Sequence, residues 1–442
     1  MCYCIFVEVI VFFLEVDPRQ GACRKFTKNL PSVNNVPVNI SYDNTRYLLV
    51  KRGVYEMVNM EEKDLSRRDF LKFSAGAAAA LTMLAAMPAA PVSAKTLKKG
   101  TAISLAECQS LTPADMAKRS AMVQDAYKYL GDSAKTINDV KLRNGVIDIL
   151  ANPVPKVAQQ YTSLSARKEL RAKLVAGGLL KDTVTAEEVL PPIPSNGAKP
   201  QNFDAAPGSG YMSHHSYPGG LPVHTALNVR SSLGLYQGYL DSNAMQLDRD
   251  VIVAGQLLHD LHKPWVFQWK EDNSSLPEFQ IAGTGAHHIL GIAESIYRDL
   301  PAKVIVAQAS AHDNAGTPDD EAKLVKYIKA AAVIAGKDPI EKGLLAAKGD
   351  TLKLPRAIEP FVVYLGDHDW IVSVPAAKWT IPVIENIAKE DYGISDSKSK
   401  AFYSFRNYIF SQVSMIGIQN IHASQGEKAV REVIHRLIAV SK

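Results

Sequence analysis

Asp248-Arg249-Asp250-Val251-Ile252-Val253-Ala254-Gly255-Gln256-Leu257-Leu258-His259-Asp260-Leu261-His262-Lys263-Pro264 is the stretch on which the reading of the fold turns. Val251, Val253, Ala254, Leu257 and Leu258 give it a helical signal over 248–259, and the helix ends on an imidazole beside a carboxylate. Buried at an apolar helix end, such a pair is poorly satisfied alone, and it offers a nitrogen and a hard oxygen to one divalent ion. An ordinary hydrogen-bonded His-Asp pair is the plain alternative unless other groups converge on it.

Working outward, helical periods recur on both sides. They predict helices over 116–130, 166–179, 221–239, 286–300, 302–311, 320–335, 358–372, 398–418 and 426–440, with Gly131 and Gly177-Gly178 as stop signals. Residues 190–210 are rich in Pro, Gly, Ser and Asn and read as a surface connector, where a soft domain boundary is expected. No run of alternating β-branched residues points to a sheet and no repeat is visible, so the expected class is all-α.

All eleven histidines lie beyond residue 213, mostly at the ends of predicted helices. His224 follows Gly219-Gly220-Leu221-Pro222, His288 begins a helix, His312 closes the next, and Asp367 lies in Tyr364-Leu365-Gly366-Asp367-His368-Asp369. This order, with Gly-Gly-Leu-x-x-His-Thr at 219–225 and Leu-Leu-His-Asp-x-x-Lys at 257–263, resembles the HD-domain superfamily of metal-dependent phosphohydrolases. The likeness covers about residues 210–375 and gives no help with residues 95–200 or the C-terminal helices. It implies an HD-type helical fold with added N-terminal and C-terminal helices.

The resemblance further implies that His224, His259, Asp260 and Asp367 hold one divalent ion and that His288 and His312, with Asp260 bridging, hold a second. The ions would be Fe, Mn or similar. Asp260 and Lys263 carry the expected catalytic roles, Lys263 neutralising a phosphate oxygen; a surface lysine after a helix end is the competing reading. His288 is preferred over His287 because it aligns with Ile292 and Ile296 on the apolar face, whereas His287 aligns with Gly291, Glu294 and Arg298. His368 and Asp369 are expected to orient a ligand imidazole. His214 and His215 either reach the metal pocket or are solvated. The Trp265, Phe267, Trp269 cluster reads as core packing or a pocket wall.

The chain departs from the family pattern after His312, around Lys263 through His262 and Pro264, and at 320–355, which reads as an insertion. The Gly-Tyr-Pro signature of cyclic-dinucleotide phosphodiesterases is absent. The expected substrate is a phosphorylated small molecule or nucleotide. A di-iron oxygenase with the same ligand order and a non-catalytic metal-binding sensor are the alternatives, and metal analysis separates them.

Near the other end, Ser66-Arg67-Arg68-Asp69-Phe70-Leu71-Lys72 precedes an Ala-rich apolar run closed by Val92-Ser93-Ala94. This is a twin-arginine export signal with a cleavage point after Ala94, which implies the twin-arginine translocase as partner and the periplasm as destination. The run is short of the roughly 20 strongly apolar residues of a spanning helix, so no stable membrane insertion is expected. Three of the four cysteines, Cys2, Cys4 and Cys23, precede the signal, leaving Cys108 without a disulfide partner.

The expected organisation is an over-extended, disordered start over 1–56, a signal peptide over 57–94, and a helical region with linker over 95–205. The metal-binding domain follows over 206–375, then C-terminal helices over 376–442. Translation from Met57 or Met60 is the corresponding hypothesis, and a precursor whose N-terminal sequence starts at Met1 would sink it. The formal charge of +5 on 442 residues, with no basic stripe, gives nucleic-acid binding no support.

Overall fold

The computed structural model describes residues 102–440 and, before them, the backbone of four short strands. Two compact units are distinguished, 1–88 and 89–442. In the first, β1 (Tyr3–Val7) pairs antiparallel with β2 (Ile10–Leu14), and β3 (Tyr47–Lys51) with β4 (Val54–Val58). Val, Ile, Phe and Tyr in these segments favour extended backbone. Residues 59–101, with the twin-arginine segment and the expected cleavage point, lie outside the described residues.

The second unit is predominantly helical, as the periodicity predicts. It opens with β5 (Ile103–Ser104), α1 (Leu105–Ser110), α2 (Pro113–Arg119), α3 (Ala121–Lys135), α4 (Val140–Ala151) and α5 (Leu164–Ala176). The central helices are α6 (Gly220–Asp241), α7 (Arg249–Leu258) and the single turn α8 (Lys263–Val266). A small hairpin, β6 (Gln280–Ile281) and β7 (Thr284–Gly285), leads into α9 (Ala286–Tyr297), α10 (Ala302–Ala309) and α11 (Pro318–Ala335). Then come α12 (Glu359–Gly366), α13 (Trp370–Tyr392), α14 (Lys400–Val413), α15 (Met415–Leu437) and β8 (Ile438–Ala439), which pairs in parallel with β5. Among the described residues no helix is long and apolar enough to cross a membrane.

Helix α7 is the axis of the site. Val251 to Leu258 are all buried, and the helix packs against α6, α10 and α12. Asp248 caps it by accepting from the Asp250 and Val251 amides. The contact with α12 depends on Gly366: a Cβ there would meet Ser232 Oγ at 1.9 Å and Gln256 Nε2 at 2.5 Å. The predicted helix over 358–372 is in fact broken, α12 ending at Gly366 and α13 starting at Trp370. The three residues between them, Asp367 to Asp369, are thereby free to turn two carboxylates inward.

The three largest hydrophobic clusters of this unit each join helices from before and after residue 205. Leu130 and Ile149 pack with Leu257 and Leu258; Val157 and Leu174 with Ile292 and Ile328; Cys108 and Met116 with Phe405 and Ile434. The region read as 95–205 is therefore part of a common core. Likewise the first half of the stretch read as an insertion is α11, whose Leu324, Ile328 and Ala331 are buried against α9. Gly131 does not stop its helix, which continues to Lys135.

Candidate metal centre

Five elements bring the polar groups together. His224 sits in the first turns of α6, behind Gly219 in the left-handed region (φ 81°) and Gly220, where a Cβ would lie 1.8 Å from the His215 carbonyl oxygen. That close approach folds the loop 211–217 over the start of α6 and delivers His214 and His215. His259 and Asp260 end α7, His287 and His288 begin α9, His312 follows α10, and Asp367 and Asp369 occupy the break before α13.

His224, His259 and Asp367 place one ligand atom each within 4.8 Å of the others, and so do Asp260, His287 and His312. Asp260 joins the two groups: its Oδ2 is 3.2 Å from His224 Nε2 and 3.0 Å from His259 Nε2, and its Oδ1 is 3.2 Å from His287 Nε2. Asp367 also reaches both, with Oδ1 3.1 Å from His224 Nε2 and Oδ2 3.5 Å from His312 Nε2. A third set, His215, His224 and Asp369, lies alongside.

The outer nitrogens carry the chemical argument. His259 Nδ1 lies 2.6 Å from the Gln256 carbonyl oxygen, His224 Nδ1 2.8 Å from Asp369 Oδ1, and His287 Nδ1 2.6 Å from Glu278 Oε1. Each contact requires an N–H at Nδ1, so in the neutral imidazole the lone pair stands on Nε2 and faces the carboxylates. In that neutral state lone pairs on nitrogen and oxygen converge, and His287 Nε2 and Asp260 Oδ1 have no hydrogen-bond partner. The residues fit divalent ions: Asp260 and Asp367 are 1% and 4% exposed, and Lys263 is the only lysine in ion-pair contact with either among the described residues. Burying that excess of negative charge without cations costs several kcal/mol per ion.

Without a bound ion, protons occupy these positions. Burial opposes charge on His259, but Asp260 and Asp367 outweigh it and lift the imidazole to about 9. His224 is held well above its usual value against burial by Asp369, Asp260 and Asp367.

His288, the expected ligand, lies outside these groups, and His287 instead joins Asp260 and His312. His288 Nε2 is 3.0 Å from the Ala309 carbonyl oxygen and its ring stacks on His312 at 4.1 Å, while burial and the neighbouring His287 push it down to about 4. The whole of α9 from Ala286 to Ile296 is buried. Its Ile289, Ile292 and Ile296 pack in the core, whereas His287 Nε2 faces Asp260 and Glu294 turns away to the Lys156 and Val157 amides and Arg298.

Lys263 is 1% exposed, with Nζ 2.5 Å from Asp260 Oδ2 and 3.2 Å from His214 Nε2, so the surface-lysine reading does not hold. Asp369 orients two imidazoles, its Oδ2 accepting from His215 Nε2 at 2.6 Å, whereas His368 turns to the Tyr364 carbonyl oxygen. Trp265 is a core residue, its Nε1 donating to the Pro192 carbonyl oxygen. Two contributors escaped the sequence reading. Asn228 donates to Asp367 Oδ1 at 2.6 Å from one turn beyond His224, a spacing that periodicity could have flagged. Glu278 comes from a loop with no local signal.

Residues 64–85 match the family model for the twin-arginine translocation pathway signal sequence, so the chain is exported to the periplasm. Over 197 residues, 44% of the chain, it is 29% identical to a dihydroneopterin 2',3'-cyclic phosphate phosphodiesterase of Methanocaldococcus jannaschii. That alignment covers 64% of the archaeal protein, so the chain spans just under two thirds of the length of this curated relative. No solved structure matches the chain. The chain is thus similar, at a distance, to a phosphodiesterase.

Proposed function

We propose that the chain is a metal-dependent phosphoester hydrolase of the HD type. It holds two divalent ions, one on His224, His259, Asp260 and Asp367 and one on His287, His312 and Asp260. The observation that carries this reading is the convergence of three Nε2 lone pairs, each fixed by an outward Nδ1 contact, on two buried carboxylates. Such ions, when bound, supply a nucleophilic hydroxide near neutral pH and stabilise charge on the phosphoryl oxygens.

The chain's own residues do the rest. Lys263, held by Asp260 and donating to His214 Nε2, presents its ammonium to a phosphate oxygen, a preorganised positive edge in a site shielded from water. Asp369 and Glu278 keep His224 and His287 in the tautomer that faces inward. The distant phosphodiesterase relative supports a phosphodiester substrate, and a 2',3'-cyclic phosphate is the first to assay. Protein purified from the periplasm is expected to carry close to two ions per chain and to open this ring, with loss of activity on chelation and recovery on adding Mn or Fe. Metal-replete protein that consumes dioxygen and leaves every phosphoester intact would overturn the proposal.

The two α9 histidines give a sharper test. His287→Ala is expected to lose about one ion per chain and activity by roughly 100-fold or more. His288→Ala keeps both ions and shows instead a lower melting temperature from the vacated core position. The reverse pattern in metal content would return the ligand role to His288.

A further inference from the structure

Arg406, on α14, is 2% exposed and has no carboxylate partner among the described residues. Its Nη1 donates to the Ser216 carbonyl oxygen at 2.9 Å and to Asn407 Oδ1 at 2.7 Å, and its Nη2 donates to Ser216 Oγ at 2.7 Å. The guanidinium carbon lies 4.6 Å from the Tyr211 ring centre and 5.3 Å from that of Phe410, and Nε has no partner at all. Neutral acceptors and ring faces satisfy N–H groups without cancelling a full charge. A buried ion lacking its counter-charge costs several kcal/mol, so such groups are ordinarily paired.

A cavity lies on the flank of this guanidinium. Its walls include Arg406, Ser216, Tyr211, Tyr403, Asn273 and Ser275, and its volume of about 10 Å3 is that of one water-sized probe. It is small and partly open, its wall mostly apolar with Trp269 beside the tyrosines, and the serine and Asn273 side chains lie among them next to an unpaired cation. We propose that this cavity is an oxyanion subsite, admitting one terminal oxygen of a phosphate or carboxylate group beside Arg406. The remainder of the ligand stays in the cavity mouth. Ser216 belongs to the loop that carries His214 and His215, so an anion held here also braces that loop. The inference does not rest on the metal-centre reading.

The test is thermal melting of the exported protein with inorganic phosphate, and separately with acetate, against two variants that supply an internal carboxylate. Ser275→Asp and Tyr403→Glu approach the cavity from different positions, so the failure of one to fold leaves the other. Phosphate is expected to raise the wild-type melting temperature by about 2 °C or more, and each folded variant to lose that response. The difference persists with a chelator present, which separates this subsite from phosphate held at the metal centre. A comparable acetate effect identifies any small oxyanion as the ligand; a phosphate effect alone restricts it to phosphoryl groups. Equal responses in wild type and both variants, or no response to either anion, would reduce Arg406 to a staple for the loop and overturn the inference.

Discussion

Asp260→Asn is expected to abolish hydrolysis, with kcat/KM falling by at least about 1,000-fold, and to strip the protein of both ions. Asp260 touches both halves of the centre, meeting the Nε2 atoms of His224, His259 and His287 at 3.0–3.2 Å, closer than the 3.5 Å at which Asp367 reaches His312. The same change alters stability for a different reason. Lys263 is 1% exposed, and Asp260 is its only carboxylate contact among the described residues, so the single variant leaves a buried ammonium without its partner, at a cost of about 3–5 kcal/mol. Adding Lys263→Met removes the stranded charge. The double variant is therefore expected to regain most of the lost stability in chemical denaturation while recovering neither metal nor activity. Recovery of activity along with stability would mean that Asp260 serves the fold and not the chemistry, and the assignment would fail.

The second large effect lies away from the chemistry. Glu294→Ala is expected to cost about 3–5 kcal/mol, a large share of the 5–15 kcal/mol typical of a folded domain. Glu294 is fully buried on α9; its carboxylate accepts from the Lys156 amide at 3.1 Å, the Val157 amide at 2.8 Å and Arg298 Nε at 2.6 Å. Its loss would leave two backbone donors stranded where the segment 156–161 docks on α9 and would remove one of the two carboxylates paired with Arg298, Asp148 being the other. Burial alone would raise the Glu294 pKa, but His262, Arg298 and the Val157 amide outweigh it and hold it below the ordinary value of 4.5. The sign follows: with its folded pKa depressed, Glu294 stabilises the protein fully above about pH 4.5, and that contribution is lost as pH falls through the folded pKa. Urea midpoints measured from neutral to acid pH are expected to fall less steeply for Glu294→Gln than for wild type. Parallel curves would argue against this role.

Much of this was legible in the sequence because helix periodicity reports burial directly. The segment from Val251 to Leu258 announces its helix and its depth, and the His-Asp pair at its end announces polarity where none should be. What periodicity does not report is which neighbour a face meets. On α9 it marks His288 as inward and His287 as polar, but inward there means a stack on His312 and, for His287, polar means contact with Asp260. Lys263 carries the same lesson, since a lysine after a helix end is buried only if something distant supplies its counter-charge. Arg406 acts through contacts to Ser216, 190 residues away in the chain, and no local pattern encodes such a partner. The break at Asp367 escaped for another reason: the tight approach of Gly366 to Ser232 and Gln256 is a tertiary demand that interrupts an otherwise continuous helical signal.

The pairing of Ile103 and Ser104 with Ile438 and Ala439 sets the timing of folding. A ribosome releases the two halves of that ladder at opposite ends of synthesis of this unit, and Cys108 and Met116 wait equally long for Phe405 and Ile434. Contacts of such sequence separation must close long loops and form slowly. The body therefore completes itself only after translation has passed residue 439. For a chain exported through a route that carries folded cargo, this late closure works as a seal: a truncated product lacks the strand that joins its beginning to its end.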